Sequence, residues 1–249
     1  MNYRKLYILF LLVLFSCREH REEAPYSIEI NDSTQLKTEI SVSEISEIEQ
    51  VLIQYGLVDI QKIDSTIRID VKYATTENFM HKVLYANYSK VYLQKEVAER
   101  LKKCQSALKK KDLTLSLLVY DGARPLFVQQ EMWDGMDTIP IQERTKFLSN
   151  PKSGSLHNFG CAVDLTIVDV KTGKPLDMGA GYDDIRKIAY PRFETYYLQL
   201  GELSQYQINN RKLLREVMKV GGFWVIETEW WHFNAYSRDK AKELFEIIP

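Results

Sequence analysis

The chain is poor in the residues that most often announce chemistry. Its 249 residues include only four histidines and three cysteines. His20 falls in a charged stretch near the N-terminus, and His81 has no carboxylate motif beside it and reads as a surface or packing residue. Any two-histidine metal site in the folded body is thereby narrowed to His157 and His232. Charge of neither sign dominates: 33 basic against 34 acidic residues leave a net charge of -1. A nucleic-acid partner is excluded on that ground, because tracking phosphates takes a broad basic face. The run Lys109, Lys110, Lys111 reads instead as a solvated helix end. There is no internal repeat, no low-complexity tract and no apolar stretch long enough to span a bilayer as a helix. Hydrophobic residues at 45% and charged residues at 27% are ordinary for a globular protein.

The longest apolar run, residues 6–15, follows Arg4 and Lys5 and leads into Leu14-Phe15-Ser16-Cys17. A positive start and a short apolar core mark a targeting segment. The ending resembles a bacterial lipobox, whose cysteine is lipidated, although Phe15 is larger than the usual residue there. Simple secretion and an uncleaved anchor are the alternatives. The expected organisation is a lipoprotein-type signal at 1–17, a polar tether at 18–41 and one domain at 42–249. The protein would then be exported and held to a membrane on the periplasmic side through Cys17. Cys104 and Cys161 remain; they could pair in an oxidising compartment, but no sequence feature brings them together. Cys161 reads as a small buried residue on the strand face opposite Asp164, rather than as a thiolate ligand.

Hydrophobic spacing predicts a helix over 42–55, ended by Gly56, and short strands over 57–60 and 66–71. A second helix is expected over 93–110, with Leu93, Val97, Leu101, Cys104 and Leu108 as its apolar stripe. Residues 113–120 form a nearly continuous apolar run, read as a buried strand that delivers Asp121-Gly122-Ala123-Arg124-Pro125. Pro125 is placed to start a helix carrying Val128, Met132 and Trp133. Residues 135–156 read as loop and short helix, and 161–170 as a strand. Asn209 or Asn210 is a candidate cap for a helix ended by Gly221 and Gly222. Residues 223–226 read as a buried strand, and Ser237 as the cap of a last helix to 248. Helices and strands mix without a βαβ repeat, so the fold class is α+β with a mainly antiparallel central sheet flanked by helices.

Chemistry concentrates in two stretches. Residues 155–164 read S-x-H-x-x-G-x-A-x-D, placing His157 and Asp164 seven positions apart with Gly160 available to turn the chain. Residues 229–232 read Glu-Trp-Trp-His. His157, Asp164 and His232 together make a two-imidazole, one-carboxylate donor set that leaves a zinc ion one tetrahedral position for water. Glu229 is a candidate base for that water's proton. On an unbroken strand Glu229 and His232 would face opposite ways, so the strand is expected to end near Glu229 or to contain a bulge. Arg124 is a candidate donor to a developing oxyanion; clamping Asp121 or a loop carbonyl is the equally weighted alternative.

The three motifs S-x-H-x-x-G-x-A-x-D, E-W-W-H and D-G-x-R-P together resemble the D-alanyl-D-alanine dipeptidases of the VanX type, within the zinc DD-peptidases. The resemblance runs over roughly residues 57–235. Tyr73-Ala74-Thr75 with Asn78-Phe79, and Met178-Gly179 with Tyr182-Asp183, match segments of the dipeptidase branch. The resemblance implies the zinc DD-peptidase fold, one zinc ion on His157, Asp164 and His232, Glu229 as general base and Arg124 at the oxyanion. It further implies Asp183 as the partner of the substrate's free amino group and Ser155 as a second substrate contact. The implied reaction is hydrolysis of D-Ala-D-Ala to two D-alanines. The nearest alternative is a D,D-carboxypeptidase or endopeptidase trimming peptidoglycan stem peptides; a non-catalytic wall-peptide binder is more distant. Ala123 stands where the family usually has an aromatic, so the loop is expected either to be looser or to have its space filled by another ring such as Tyr120.

Overall fold

A computed structural model describes residues 45–249. The expected leader with Cys17, the tether at 18–41 and the first residues of the expected helix at 42–55 lie outside them. Helix α1 (Glu47–Gln54) starts at Ser46, whose Oγ accepts from the Glu49 N–H at 3.2 Å. It buries Ile48 and Leu52. Strand β1 (Val58–Asp59) runs into α2 (Ile60–Ile63), followed by β2 (Arg68–Ile69). Strand β3 (Tyr92–Leu93) pairs antiparallel with β1 as a small separate sheet. Leu93 therefore belongs to a strand rather than to the helix, and α3 (Lys95–Lys111) begins after it. The rest of the predicted stripe holds: Val97, Leu101, Cys104 and Leu108 are all fully buried.

The central sheet is built on β4 (Leu115–Asp121) and β5 (Ala162–Asp169), with β6 (Trp224–Ile226) and β7 (Glu229–Asn234) beyond them. Its order is β2-β4-β5-β7-β6. Only β2 with β4 is parallel; the other pairs are antiparallel, as expected. Two short strand readings change. Leu113 is 78% exposed, because β4 starts two residues later. Strand β6 is an edge strand, with Trp224 46% exposed, rather than a buried one.

Alternation along β4 and β5 sorts the sheet's two faces. Leu117, Val119, Val163, Leu165 and Ile167 enter the main core with α3 and with α7 (Gln205–Val220). Leu118, Tyr120 and Val168 form a small second cluster under Tyr182. Asp164 shares the parity of Val168, and so lies on the face away from the main core. Helix α7 starts earlier than Asn209 or Asn210. Ser204 caps it, its Oγ accepting from the Gln207 N–H at 3.2 Å while Gln207 Oε1 accepts from the Ser204 N–H at 2.8 Å.

Helices α4 (Leu126–Gly135) and α5 (Ile141–Arg144) follow β4, and α6 (Glu194–Gln199), which the hydrophobic pattern did not indicate, precedes α7. The last helix, α8 (Arg238–Leu244), is capped by Ser237 but stops four residues short of 248. Beyond it the chain turns back. The Ile248 N–H donates to Asn158 O at 2.8 Å, and Ile248 O accepts from the Leu126 N–H at 2.9 Å. Cys104 and Cys161 are buried free thiols, each pushed up to about 12 by burial. Among the described residues no helix is long and apolar enough to cross a membrane.

Candidate active site

The site assembles from three chain segments. His157 lies on the 3-10 turn Leu156–Phe159, which Gly160 closes at φ 63°. A side chain there would be strained, and its Cβ would lie 2.8 Å from Leu57 Cδ2. His157 Nδ1 is 2.7 Å from Gly122 O. A carbonyl only accepts, so Nδ1 carries the hydrogen and Nε2 is left as a lone-pair donor. Gly122 reaches this position because nothing larger fits: a Cβ would come within 2.6 Å of Val91 Cγ1 and 2.8 Å of Tyr92 O.

Asp164 on β5 is directly paired with His232 on β7. Asp164 Oδ1 is 3.0 Å from His232 Nδ1 and 3.4 Å from His157 Nε2, and the two ring nitrogens are 3.1 Å apart. Tetrahedral zinc about 2.0–2.1 Å from each donor would space them about 3.3 Å apart. The triangle already has that size, and its donor chemistry fits the metal. Both remaining ring nitrogens are accounted for. His232 Nε2 is 2.8 Å from Asn234 Oδ1, which leaves Nδ1 facing the other two donors. Tyr182 donates to Asp164 Oδ2 at 3.2 Å, leaving Oδ1 toward the histidines.

Glu229 reaches the same point through an irregularity. The register of β6 against β7 jumps from Val225 opposite Phe233 to Ile226 opposite Glu229. At this irregularity the odd spacing does not turn Glu229 away, and its Oε2 lies 3.8 Å from His232 Nδ1. Burial pushes the Glu229 carboxyl up from its ordinary value; His232 opposes this and Asp164 adds to it. Burial also works against the Asp164 charge, but His157 and His232 outweigh it and hold that carboxyl well below the usual carboxylate range. For His232, burial disfavours the cation, yet the Asp164 hydrogen bond and charge raise its pKa to about 9.

Arg124 makes the clamp that one of its two sequence readings describes. It clamps Asp121, with Nε at 3.0 Å and Nη2 at 2.7 Å from Oδ2, and Nη1 donates to Gln129 Oε1 at 3.0 Å. The same Nη2 is 3.9 Å from Asp164 Oδ2, at the cavity wall. The ring beside the guanidinium is Tyr73, 5.0 Å away. Tyr120 instead packs on Tyr182, and Ala123 is buried, its N–H held by Tyr92 O at 2.8 Å. The loop is therefore tied down without an aromatic at position 123.

Asp183 sits at φ 58° and is half-buried. It accepts from Tyr73 OH at 3.2 Å and from the Phe79 N–H at 3.4 Å. No cation pairs with it among the described residues. Burial pushes its carboxyl well above the ordinary value, and Asp164 adds to the rise. The Ser155 hydroxyl is buried without a hydrogen-bond partner among the described residues.

One cavity of about 260 Å³ is lined by all seven predicted residues: Arg124, Ser155, His157, Asp164, Asp183, Glu229 and His232. His81 is exposed and apart from it. Tyr182 and Asn234 escaped the sequence reading. Asn234 left a usable signal, since a strand residue two after His232 shares its face; Tyr182 was noted only beside Asp183.

The family model described as Peptidase_M15, D-ala-D-ala dipeptidase, matches residues 53–248. A D-alanyl-D-alanine dipeptidase of Escherichia coli (strain K12) is 33% identical over 178 residues, covering 72% of this chain and 83% of that protein. One from Enterococcus faecium is 28% identical over 210 residues, covering 78% and 98%. Among solved structures, a vancomycin resistance D,D-pentapeptidase VanY in complex with Zn(II) covers 64% of this chain and 80% of its own, at 14% identity and a TM-score of 0.37. That overlap is too loose to bear on the chemistry here. The match over residues 53–248, in a chain whose three motifs meet in one cavity, places this protein in the D-Ala-D-Ala dipeptidase family of M15 peptidases.

Proposed function

We propose that the protein hydrolyses D-Ala-D-Ala to two D-alanines, using one zinc ion held by His157, Asp164 and His232. The observation that supports this most directly is the donor triangle of 3.0–3.4 Å with Glu229 beside it at 3.8 Å. Zinc at such a donor set supplies Lewis acidity that makes water a nucleophile near neutral pH. The protein's own groups do the rest. Glu229 accepts the proton of the attacking water on its carboxylate and returns it to the departing amine nitrogen. Its raised pKa suits a group that must both take and give that proton. Arg124, fixed by Asp121 and Gln129, offers its guanidinium to the charge that develops on the carbonyl oxygen. Asp183 and Tyr73 receive the free ammonium, and the unpartnered Ser155 hydroxyl hydrogen-bonds the other part of the dipeptide.

The family matches support the same substrate, since both relatives described above are named D-alanyl-D-alanine dipeptidases. An anion at Asp183 disfavours the carboxypeptidase alternative, because it selects a free amine over an acylated one. The test is D-alanine release from D-Ala-D-Ala by the full chain, as purified, after chelation and after zinc is restored. Release that chelation abolishes and zinc restores is the expected result. Cleavage of N-acetyl-D-Ala-D-Ala as fast as the free dipeptide would reject the dipeptidase in favour of the carboxypeptidase.

The leader supports a lipid on Cys17, a tether at 18–41 and a catalytic domain at 42–249 on the periplasmic side. Fatty-acid labelling that is lost in Cys17→Ser is the expected result. Persistent labelling in that variant would rule out Cys17 as the attachment point.

A further inference from the structure

The cavity is unevenly supplied with charge. Its acidic wall groups are Asp164, Asp183, Asp184 and Glu229; its basic ones are Arg124, Lys146 and Arg238, besides the histidines. Asp184 is paired with Arg186. Arg124 is committed to Asp121 and Gln129. Lys146 is exposed and paired with Glu143. Arg238 differs from both. It is half-buried, and it forms no ion pair among the described residues. Its Nη1 donates to two carbonyls, Ser153 O at 2.8 Å and Gly154 O at 2.6 Å. Its Nη2 and Nε have no hydrogen-bond partner among the described residues.

The two carbonyls that Arg238 holds lie immediately before Ser155 in the chain. Ser155 Oγ is itself buried without a partner among the described residues, and Ser155 lines the same cavity. A fixed guanidinium with free N–H groups and an orphan hydroxyl on the loop that guanidinium anchors together offer donors suited to a carboxylate. A free dipeptide is a zwitterion. Its ammonium has Asp183, and its terminal carboxylate needs a cation that no protein anion has already claimed.

We infer that Arg238, with the Ser155 hydroxyl, forms the subsite for the substrate's C-terminal carboxylate and makes the enzyme select peptides whose second residue ends in a free acid. This rests on the dipeptidase reading and extends it. The two ends of the substrate are then read by opposite charges, and the scissile carbonyl is left at the metal triangle between them. A peptide extended at its C-terminus or amidated there gives Arg238 no anion, and the guanidinium stays unpaired.

The test compares D-Ala-D-Ala with its C-terminal amide, following D-alanine release. The wild-type enzyme should prefer the free acid, mainly through KM. Arg238→Gln removes the charge but keeps an N–H donor for the Ser153 and Gly154 carbonyls. In that variant KM for the free acid should rise about 10–100-fold, the amide should be nearly unaffected, and the preference should collapse. Arg238→Lys keeps the charge and should restore part of the preference. An active Arg238→Gln enzyme with its preference intact would overturn the subsite. So would a wild-type enzyme that cleaves acid and amide equally. Release of D-alanine from neither substrate by the zinc-loaded wild type would instead take down the dipeptidase reading, and the subsite with it.

Discussion

The two ends of the cavity are built on opposite principles. At the metal end every polar group that does not face the triangle is occupied: His157 Nδ1 by Gly122 O, His232 Nε2 by Asn234 Oδ1 and Asp164 Oδ2 by Tyr182 OH. Asp164 and His232 also lie on directly paired strands. At the substrate end the groups come from turns and loops and are left short of partners. Among the described residues, Asp183 holds a left-handed conformation with no cation paired to it, and the Ser155 hydroxyl has no hydrogen-bond partner. A metal site must exist before its ion arrives, so rigidity there is useful. A substrate site is completed by the ligand, and its unmet bonds are where binding energy is stored.

That contrast is easiest to break at Glu229, which lies at the metal end and which the proposed reaction uses as its base. Glu229→Gln should lower kcat by about 10²–10⁴ while fold and zinc content stay at wild-type values. Turnover that survives would remove Glu229 from the chemistry.

Protons offer the next largest effect. In the metal-free protein His232 stays protonated up to about pH 9, and zinc needs its Nδ1 unprotonated. Zinc affinity should therefore fall as pH drops below 9, by up to about tenfold per unit, and level off above it. Chelator competition across that range measures the slope. A flat profile would show that Asp164 does not hold a proton on His232.

Asn234→Ala leaves all three metal-facing groups in place and removes only the acceptor behind His232. Zinc affinity should fall about 10–100-fold, read by the same competition. Unchanged affinity would mean that the strand alone orients the ring.

The smallest effect sharpens the comparison most. Asp183→Asn removes a carboxylate that burial disfavours, and asparagine tolerates the positive φ. The metal-free variant should melt about 2–4 °C higher than wild type. Its KM for the dipeptide should rise. A lower melting temperature would show that Asp183 is already satisfied without substrate, and the contrast between the two ends would fail there.

The metal end was also the more legible one. His157, Asp164, His232 and Glu229 stand in two short motifs, and the predicted break near Glu229 exists as the register jump between β6 and β7. Strands β4 and β5 were readable because each is a long apolar run. The less legible parts depend on distant partners. Nothing local in Tyr92 and Leu93 says that they pair with Val58 and Asp59. The two-residue strand β2 is too short to carry a period, and its parallel partner lies some fifty residues on. Tyr73 faces both Asp183 and Arg124 only because tertiary packing puts it there. Arg238 opens α8, and nothing in the residues around it points to the cavity. It stands out only when the cavity's other cations, Arg124 and Lys146, are found already paired.

The hook at Ile248 bears on how the protein is made. Its N–H bonds the carbonyl of Asn158, next to His157, and its carbonyl takes the first N–H of α4, just past Arg124. Synthesis delivers His157 and Asp164 first, His232 well after them and Ile248 later still. Until Ile248 has been made, the turn that carries His157 lacks this bond, although Asp164 already has its place on β5.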